Sequence, residues 1–121
     1  MEAFVRRRIA YIAGRIASNK LDGGIYDYQE SRYFLVSGNI DNSHISIYDY
    51  ASASSISGTG ANGSYQLYDH GESGSISLYI NNGTISGYDY MTGSPFNGQV
   101  SPNGEVSLYD YGRAEYFSYQ L

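Results

Sequence analysis

One tripeptide recurs five times along the chain: Tyr26-Asp27-Tyr28, Tyr48-Asp49-Tyr50, Tyr68-Asp69-His70, Tyr88-Asp89-Tyr90 and Tyr109-Asp110-Tyr111. The aspartates stand 22, 20, 20 and 21 residues apart. Self-similarity at such a period marks a chain built from repeated supersecondary units, none of which can bury its apolar face alone. Any fold proposed for the 121 residues must therefore be a stack or a ring of five similar pieces.

Aligned on the aspartate, the pieces show what they are. Ile25, Ile47, Leu67, Gly87 and Leu108 lie two positions before it, and Ile45, Tyr65, Ile85 and Val106 two further back. The intervening positions carry the tyrosines and, before them, Ser46, Gln66, Ser86 and Ser107. This period of two is the mark of a strand with two unlike faces. Phe34, Ile56, Ile76, Phe96 and Phe117 follow seven residues after each aspartate and open a second alternating segment. Asn62-Gly63, Asn82-Gly83 and Asn103-Gly104, with Asn42-Ser43 in the first unit, join one unit to the next. Asn-Gly between alternating segments predicts a type I′ hairpin, with φ > 0 at both central residues. The connection inside each unit is rich in Gly and Ser, as in Gly71-Glu72-Ser73-Gly74.

Tight turns on both sides predict an all-β antiparallel meander of about ten short strands over residues 24–121, preceded by one helix. A parallel β-solenoid is the alternative, since coils of ~20 residues also stack. Ten strands laid flat would span ~48 Å, whereas a helix of 16 residues is only ~24 Å long. Such a helix cannot cover an open sheet. The sheet is expected to curl or close into a barrel, with the helix capping or plugging it.

That helix is predicted over residues 3–18, within an N-terminal segment and linker of residues 1–23. Phe4, Ile9, Ile12 and Ile16 recur at helical spacing beside Ala10, Ala13 and Ala17. Gly14 is a mild flaw, and the helix should end near Asn19, before Gly23-Gly24. Charge is divided along the chain. Residues 1–20 hold Arg6, Arg7, Arg8, Arg15 and Lys20 against Glu2, a net +4, and residues 21–121 carry −9. Attraction between the segments follows. The leading reading packs the helix on the β domain with its arginines against the acidic units. Contact with a membrane surface through residues 3–18, or a targeting role, competes with it. As a secretory signal the apolar stretch Ile9–Ala13 is too short, and spanning a bilayer needs ~20 apolar residues.

The aspartates read as turn formers, their carboxylates accepting backbone N–H groups just downstream. Salt bridges to the helix arginines and a Ca²⁺-ligand role are the rival readings. The tyrosines and His70 form a candidate contact surface: Tyr26, Tyr28, Tyr48, Tyr50, Tyr68, His70, Tyr88, Tyr90, Tyr109 and Tyr111. They suit cross-strand ladders, a protein partner or sugars. A net charge of −5 argues against nucleic acid. His44 and His70 are the two histidines, and Asp69 beside His70 points to the opposite face of a strand. No cofactor or metal set is expected. The absence of cysteine is compatible with the cytoplasm.

The Tyr-Asp pairs, each opening a hairpin at ~20-residue spacing, resemble the YD repeats of bacterial Rhs-type proteins and teneurins. The resemblance spans roughly residues 24–121 and implies hairpin geometry and a small bacterial repeat protein. In that family Gly-Arg usually follows Tyr-Asp, and Gly112-Arg113 stands one residue closer than the pattern. The expected function is a non-enzymatic binding or assembly module contacting a protein partner or a second copy. A carbohydrate- or calcium-binding domain is the alternative, and a small hydrolase using His70 or His44 the third reading.

Overall fold

The computed structural model describes residues 1–121. Helix α1 (Ala3–Ser18) is followed by ten strands: β1 (Gly24–Asp27), β2 (Arg32–Ile40), β3 (His44–Asp49), β4 (Ser54–Ala61), β5 (Ser64–Asp69), β6 (Gly74–Asn81), β7 (Thr84–Asp89), β8 (Ser94–Val100), β9 (Glu105–Asp110) and β10 (Glu115–Gln120). Each strand pairs antiparallel with its neighbours in sequence, and β1 pairs with β10, so the meander closes into a barrel. No coil of a solenoid forms, because every connection reverses the chain.

The aliphatic face points inward. Ile25, Ile45, Ile47, Ile56, Leu67, Ile76, Leu78, Ile85, Val106 and Leu108 are all buried, and the tyrosines of the tripeptides stand outside. Of the two expected places, the helix takes the plugging one, and it does so by running through the lumen. Every residue from Val5 to Gly14 is buried, which leaves no solvent face over ten consecutive positions. The helix touches β1 and β6, which lie five places apart around a ring of ten, and also β2, β8 and β9. A barrel of ~8 strands is just wide enough for side chains to fill. Ten strands leave a wider bore, and α1 occupies it.

Wall glycines let neighbouring strands approach closely: a Cβ at Gly38, Gly58, Gly87 or Gly98 would collide with Ser46 O, Gln66 O, Ser77 O or Ser107 O, respectively, on the adjacent strand. On the helix, Gly14 lies so close to the wall that a Cβ there would come within 2.6 Å of Leu121 Cδ1 and 3.2 Å of Val106 Cγ2. The poor helix former is the price of that approach. The helix ends at Asn19, whose backbone is left-handed (φ 59°) and whose N–H bonds Arg15 O at 3.1 Å.

The connections differ in detail from expectation. Asn62-Gly63 has positive φ at both residues, 54° and 80°, as a type I′ turn requires. At Asn103-Gly104 only the glycine does, and Asp41–His44 forms its turn around the Asp41 carboxylate instead. Within the tripeptide hairpins, the fourth residue after the aspartate is left-handed in every case: Ser31, Ala53, Ser73, Gly93 and Ala114. Alanine is strained there by ~1–2 kcal/mol. Ala53→Gly and Ala114→Gly should each raise stability by about 0.5–1 kcal/mol after the entropy glycine adds to the unfolded chain. Chemical denaturation of each variant measures this.

The seam between β1 and β10 is short, with Tyr26 opposite Gln120 and Asp27 opposite Tyr119. Gln29 extends it with its side-chain amide, which behaves like one more peptide group. Its Nε2 donates to Ser118 O at 3.1 Å and its Oε1 accepts from Ser118 N–H at 2.6 Å.

Candidate functional site: the aspartate rim and the tyrosine belt

The aspartates end β1, β3, β5, β7 and β9, so all five gather at one mouth, each at most 2% exposed. Each carboxylate is used twice. Oδ1 holds the following turn: it accepts from Gln29 N–H (2.9 Å) at Asp27, Ala51 N–H (3.1 Å) at Asp49, Gly71 N–H (3.0 Å) at Asp69, Met91 N–H (2.9 Å) at Asp89 and Gly112 N–H (3.0 Å) at Asp110. Oδ2 faces the lumen, where the first turns of the helix bring the cations. Arg7 Nε reaches Asp27 at 3.2 Å and Arg6 Nη1 reaches Asp110 at 3.2 Å. Arg8 bridges two strands, with Nε 3.0 Å from Asp49 and Nη1 2.6 Å from Asp69, and also bonds Ser52 Oγ. The Met1 amine lies 3.0 Å from Asp110 Oδ2. At Asp89 no arginine arrives, and Thr92 Oγ1 donates to Oδ2 at 2.7 Å.

The residue seven after the aspartate completes the clamp. Arg7 stacks on Phe34 with its Cζ 3.5 Å from the ring centroid, and Arg6 stacks on Phe117 at 3.6 Å. Each guanidinium thus meets a carboxylate and an aromatic face from the same hairpin. The positive end of the helix dipole points at the same acids. The rim is consequently a sealed polar layer of the core. Arg6, Arg7 and Arg8 are at most 6% exposed, so in the closed barrel the basic face of the helix is not available to a membrane surface or a partner. The carboxylates are already satisfied, and no group of three or more His, Asp or Glu is arranged to hold a metal ion.

Beside this layer Tyr119 is buried in the lumen, and burial pushes its hydroxyl up to about 12 from 10.0, against the opposing pull of Arg6. Burial raises Tyr65 as well. The unfolded chain releases these protons first, so it binds fewer protons than the folded one above pH ~10, and stability falls as pH rises. For Tyr119 the loss between about pH 10 and pH 12 approaches ~3 kcal/mol, from two units at ~1.4 kcal/mol each. Urea denaturation across that range should show the decline, and Tyr119→Phe should make it shallower.

Outside the same rim the aromatic rings form a belt. The two rings of each tripeptide sit on one strand face as an edge-to-face pair: 5.0 Å between centroids for Tyr26 and Tyr28, 5.1 Å for Tyr48 and Tyr50, 5.0 Å for Tyr68 and His70, 4.9 Å for Tyr88 and Tyr90, and 4.6 Å for Tyr109 and Tyr111. Tyr26, Tyr88 and Tyr109 are half-buried; the others are exposed, Tyr90 to 60% and Tyr50 to 57%. The second ring also reaches a polar side chain on the neighbouring strand. Tyr50 Oη lies 3.1 Å from Ser37 Oγ, Tyr90 Oη 3.4 Å from Ser77 Oγ and Tyr111 Oη 2.9 Å from Asn97 Nδ2.

His70 occupies the same place, with Nε2 2.8 Å from Ser57 Oγ. This Ser–His contact repeats what tyrosine does elsewhere, and no carboxylate orients the imidazole as a catalytic triad requires. His44 sits in the Asp41 turn, its Nδ1 2.9 Å from Ser43 Oγ. Neither histidine lines the groove of about 580 Å³ across β7–β9 or the cavity of about 610 Å³ beside it.

The belt is not uniform. Tyr33 on β2 pairs with Tyr26, and Tyr116 on β10 pairs with Tyr109, 4.7 Å between centroids. Six tyrosines therefore crowd four consecutive strands across the seam, β2-β1-β10-β9. Tyr33 and Tyr116 lie outside the tripeptides, six residues after Asp27 and Asp110. Alignment at that position would have exposed them, since Ser55, Ser75 and Pro95 fill it in the other hairpins. Further from the rim the outward positions are mostly Ser, Thr, Asn and Gln, with Leu35 (59% exposed) and Tyr79 (45%) as isolated apolar positions, unlike the continuous apolar band of ~25 Å that transmembrane barrels turn to lipid.

No family model, curated protein or solved structure matches this chain.

Proposed function

We propose that this protein is a non-enzymatic binding or assembly module, and that its contact surface is the tyrosine cluster across the β1/β10 seam. The observation that carries this reading is the exposure of Tyr28 (51%), Tyr33 (49%), Tyr111 (50%) and Tyr116 (68%), which with Tyr26 and Tyr109 make the four strands at the seam the densest stretch of the aromatic belt. Tyrosine supplies large contact area with little rotamer entropy to lose and a hydroxyl that tolerates water, which is why interfaces are rich in it. A closed barrel offers no edge strand to pair with, so contact falls to a face. The resemblance of the Tyr-Asp hairpins to YD repeats supports a small bacterial repeat protein whose hairpins are scaffold and whose outer rings are the working surface.

Site-specific photo-crosslinking tests this in the cells that make the protein. A benzophenone side chain at position 28, 33 or 116 should trap a discrete protein adduct, either a second copy or a partner. The same probe at position 46 or 64, on the serine-coated wall, should trap none. Absence of adducts from the tyrosine cluster, or equal adducts from both faces, would contradict the reading.

A further inference from the structure

On the outer wall across β7, β8 and β9 lies a groove of about 580 Å³, within the ~300–1,000 Å³ range of small-molecule sites. Strand register sets its floor in two rows. One row runs Ser86, Asn97, Tyr109, Tyr116 and the other Thr84, Gln99, Ser107, Ser118, from β7 to β10. At ~4.8 Å per strand each row is roughly 14 Å long. The groove proper is lined by the side chains of Thr84, Ser86, Asn97, Gln99, Ser107 and Tyr116.

Three properties of these six residues select a ligand. None is charged, and the whole chain carries −5, so an anion finds no counter-charge and a cation no carboxylate in the groove. The polar groups are uncommitted. No hydrogen bond within the protein holds the Thr84, Ser86 or Ser107 hydroxyls or the Gln99 amide, and Asn97 uses only Nδ2, toward Tyr111, which leaves its Oδ1 free. Elsewhere on the wall Ser37 is engaged with Tyr50, Ser57 with His70 and Ser77 with Gln66 and Tyr90, while Ser46, Ser55, Ser64 and Ser75 are free; what sets the groove apart is that its free hydroxyls converge with the Asn97 and Gln99 amides and Tyr116. Finally, Tyr116 stands at one end with 68% of its surface in water.

Hydroxyls and amides that both donate and accept match a ligand dense in hydroxyls. An exposed aromatic face suits the apolar C–H face of a pyranose ring. We propose that this groove binds a neutral oligosaccharide, one ring stacked on Tyr116 and the next hydrogen-bonded by Asn97 Oδ1, the Gln99 amide and the Ser86 and Ser107 hydroxyls. The proposal rests on the reading of the barrel as a binding module but uses a different patch, adjoining the tyrosine cluster only at Tyr116.

The test is a glycan array covering neutral and acidic oligosaccharides, followed by titration of the isotopically labelled protein with the best neutral hit, with maltotriose and cellotriose as fixed probes. At least one neutral glycan should bind, with amide shifts confined to β7–β10. Gln99→Ala and Tyr116→Ala should each weaken binding about tenfold, and Tyr50→Ser, on the far side of the belt, should leave it unchanged. Melting of each variant establishes that it is folded. No neutral glycan bound, a preference for acidic glycans, or binding that survives Gln99→Ala together with Tyr116→Ala overturns the proposal. Crosslinks from positions 28 and 33 without any glycan binding would remove the groove and leave the module reading standing; glycan binding lost in Gln99→Ala without crosslinks would do the reverse.

Discussion

Arg8→Met lowers stability by about 3–5 kcal/mol, the usual result of removing one partner from a buried ion pair. Two carboxylates depend on this side chain. Asp49 and Asp69 are at most 1% exposed, and Arg8 is their only cationic partner. After the substitution each keeps its turn N–H bonds, and Asp49 keeps the Ser52 hydroxyl at 3.0 Å, but neither has a cation beside it in the lumen. Denaturant curves of the variant and the parent protein measure the loss. Arg8→Lys separates charge from geometry. A lysine carries one ammonium and cannot span Asp49, Asp69 and Ser52 together, so it should fall between the parent and Arg8→Met. An Arg8→Met protein as stable as the parent would mean that the rim contributes no net stability.

Ile12→Ala is expected to cost about 2–5 kcal/mol, and the reason again lies in the position of the helix. Ile12 is fully buried and its side chain packs among wall residues that have little room to move. A helix lying on the outside could settle toward the sheet and refill part of the space. One enclosed by ten hydrogen-bonded strands cannot, because the ladder fixes the bore. The loss should therefore sit at the upper end of the range for such substitutions. Ala13→Leu, the opposite change, should also destabilise, by ~1–3 kcal/mol, since overpacking strains a rigid wall. Denaturation midpoints of the two variants check the pair. If Ile12→Ala costs less than ~1 kcal/mol, the lumen is not tightly filled.

Much of the β architecture was legible from the tripeptide and its flanks. The period of two before each aspartate, the apolar position seven after it and the turn residues on both sides describe ten antiparallel strands, and closure followed from the area a short helix cannot cover. That the helix would cap or plug the barrel with its arginines against the acidic units was legible, but its full enclosure was not, and the cause is specific. The division of charge does not say which carboxylates Arg6, Arg7 and Arg8 meet. Their partners Asp27, Asp49, Asp69 and Asp110 come from four different hairpins, up to 104 residues away in sequence. No local pattern pairs a particular arginine with a particular aspartate before the ring closes. Gly14 carried part of the missing information: it reads as a flaw in the helix, and it is where the helix lies too close to Leu121 and Val106 of the wall for a side chain. The candidate contact surface was half legible. The tripeptide tyrosines face outward, but their clustering at the seam depends on Tyr33 and Tyr116, which become neighbours only because β1 meets β10.

The central claim is that α1 is the core of the barrel, and native-state hydrogen exchange tests it on the unmodified protein. Residues that open only with the whole molecule exchange with the global unfolding free energy, and peripheral elements exchange at lower cost. The backbone amides from Ile9 to Gly14 should be among the slowest in the chain, with exchange free energies equal to the value from denaturant unfolding and to those of the central strands. Exchange of those helix amides through a separate, lower-energy opening, while the strands stay protected, would contradict the account and place α1 on the outside.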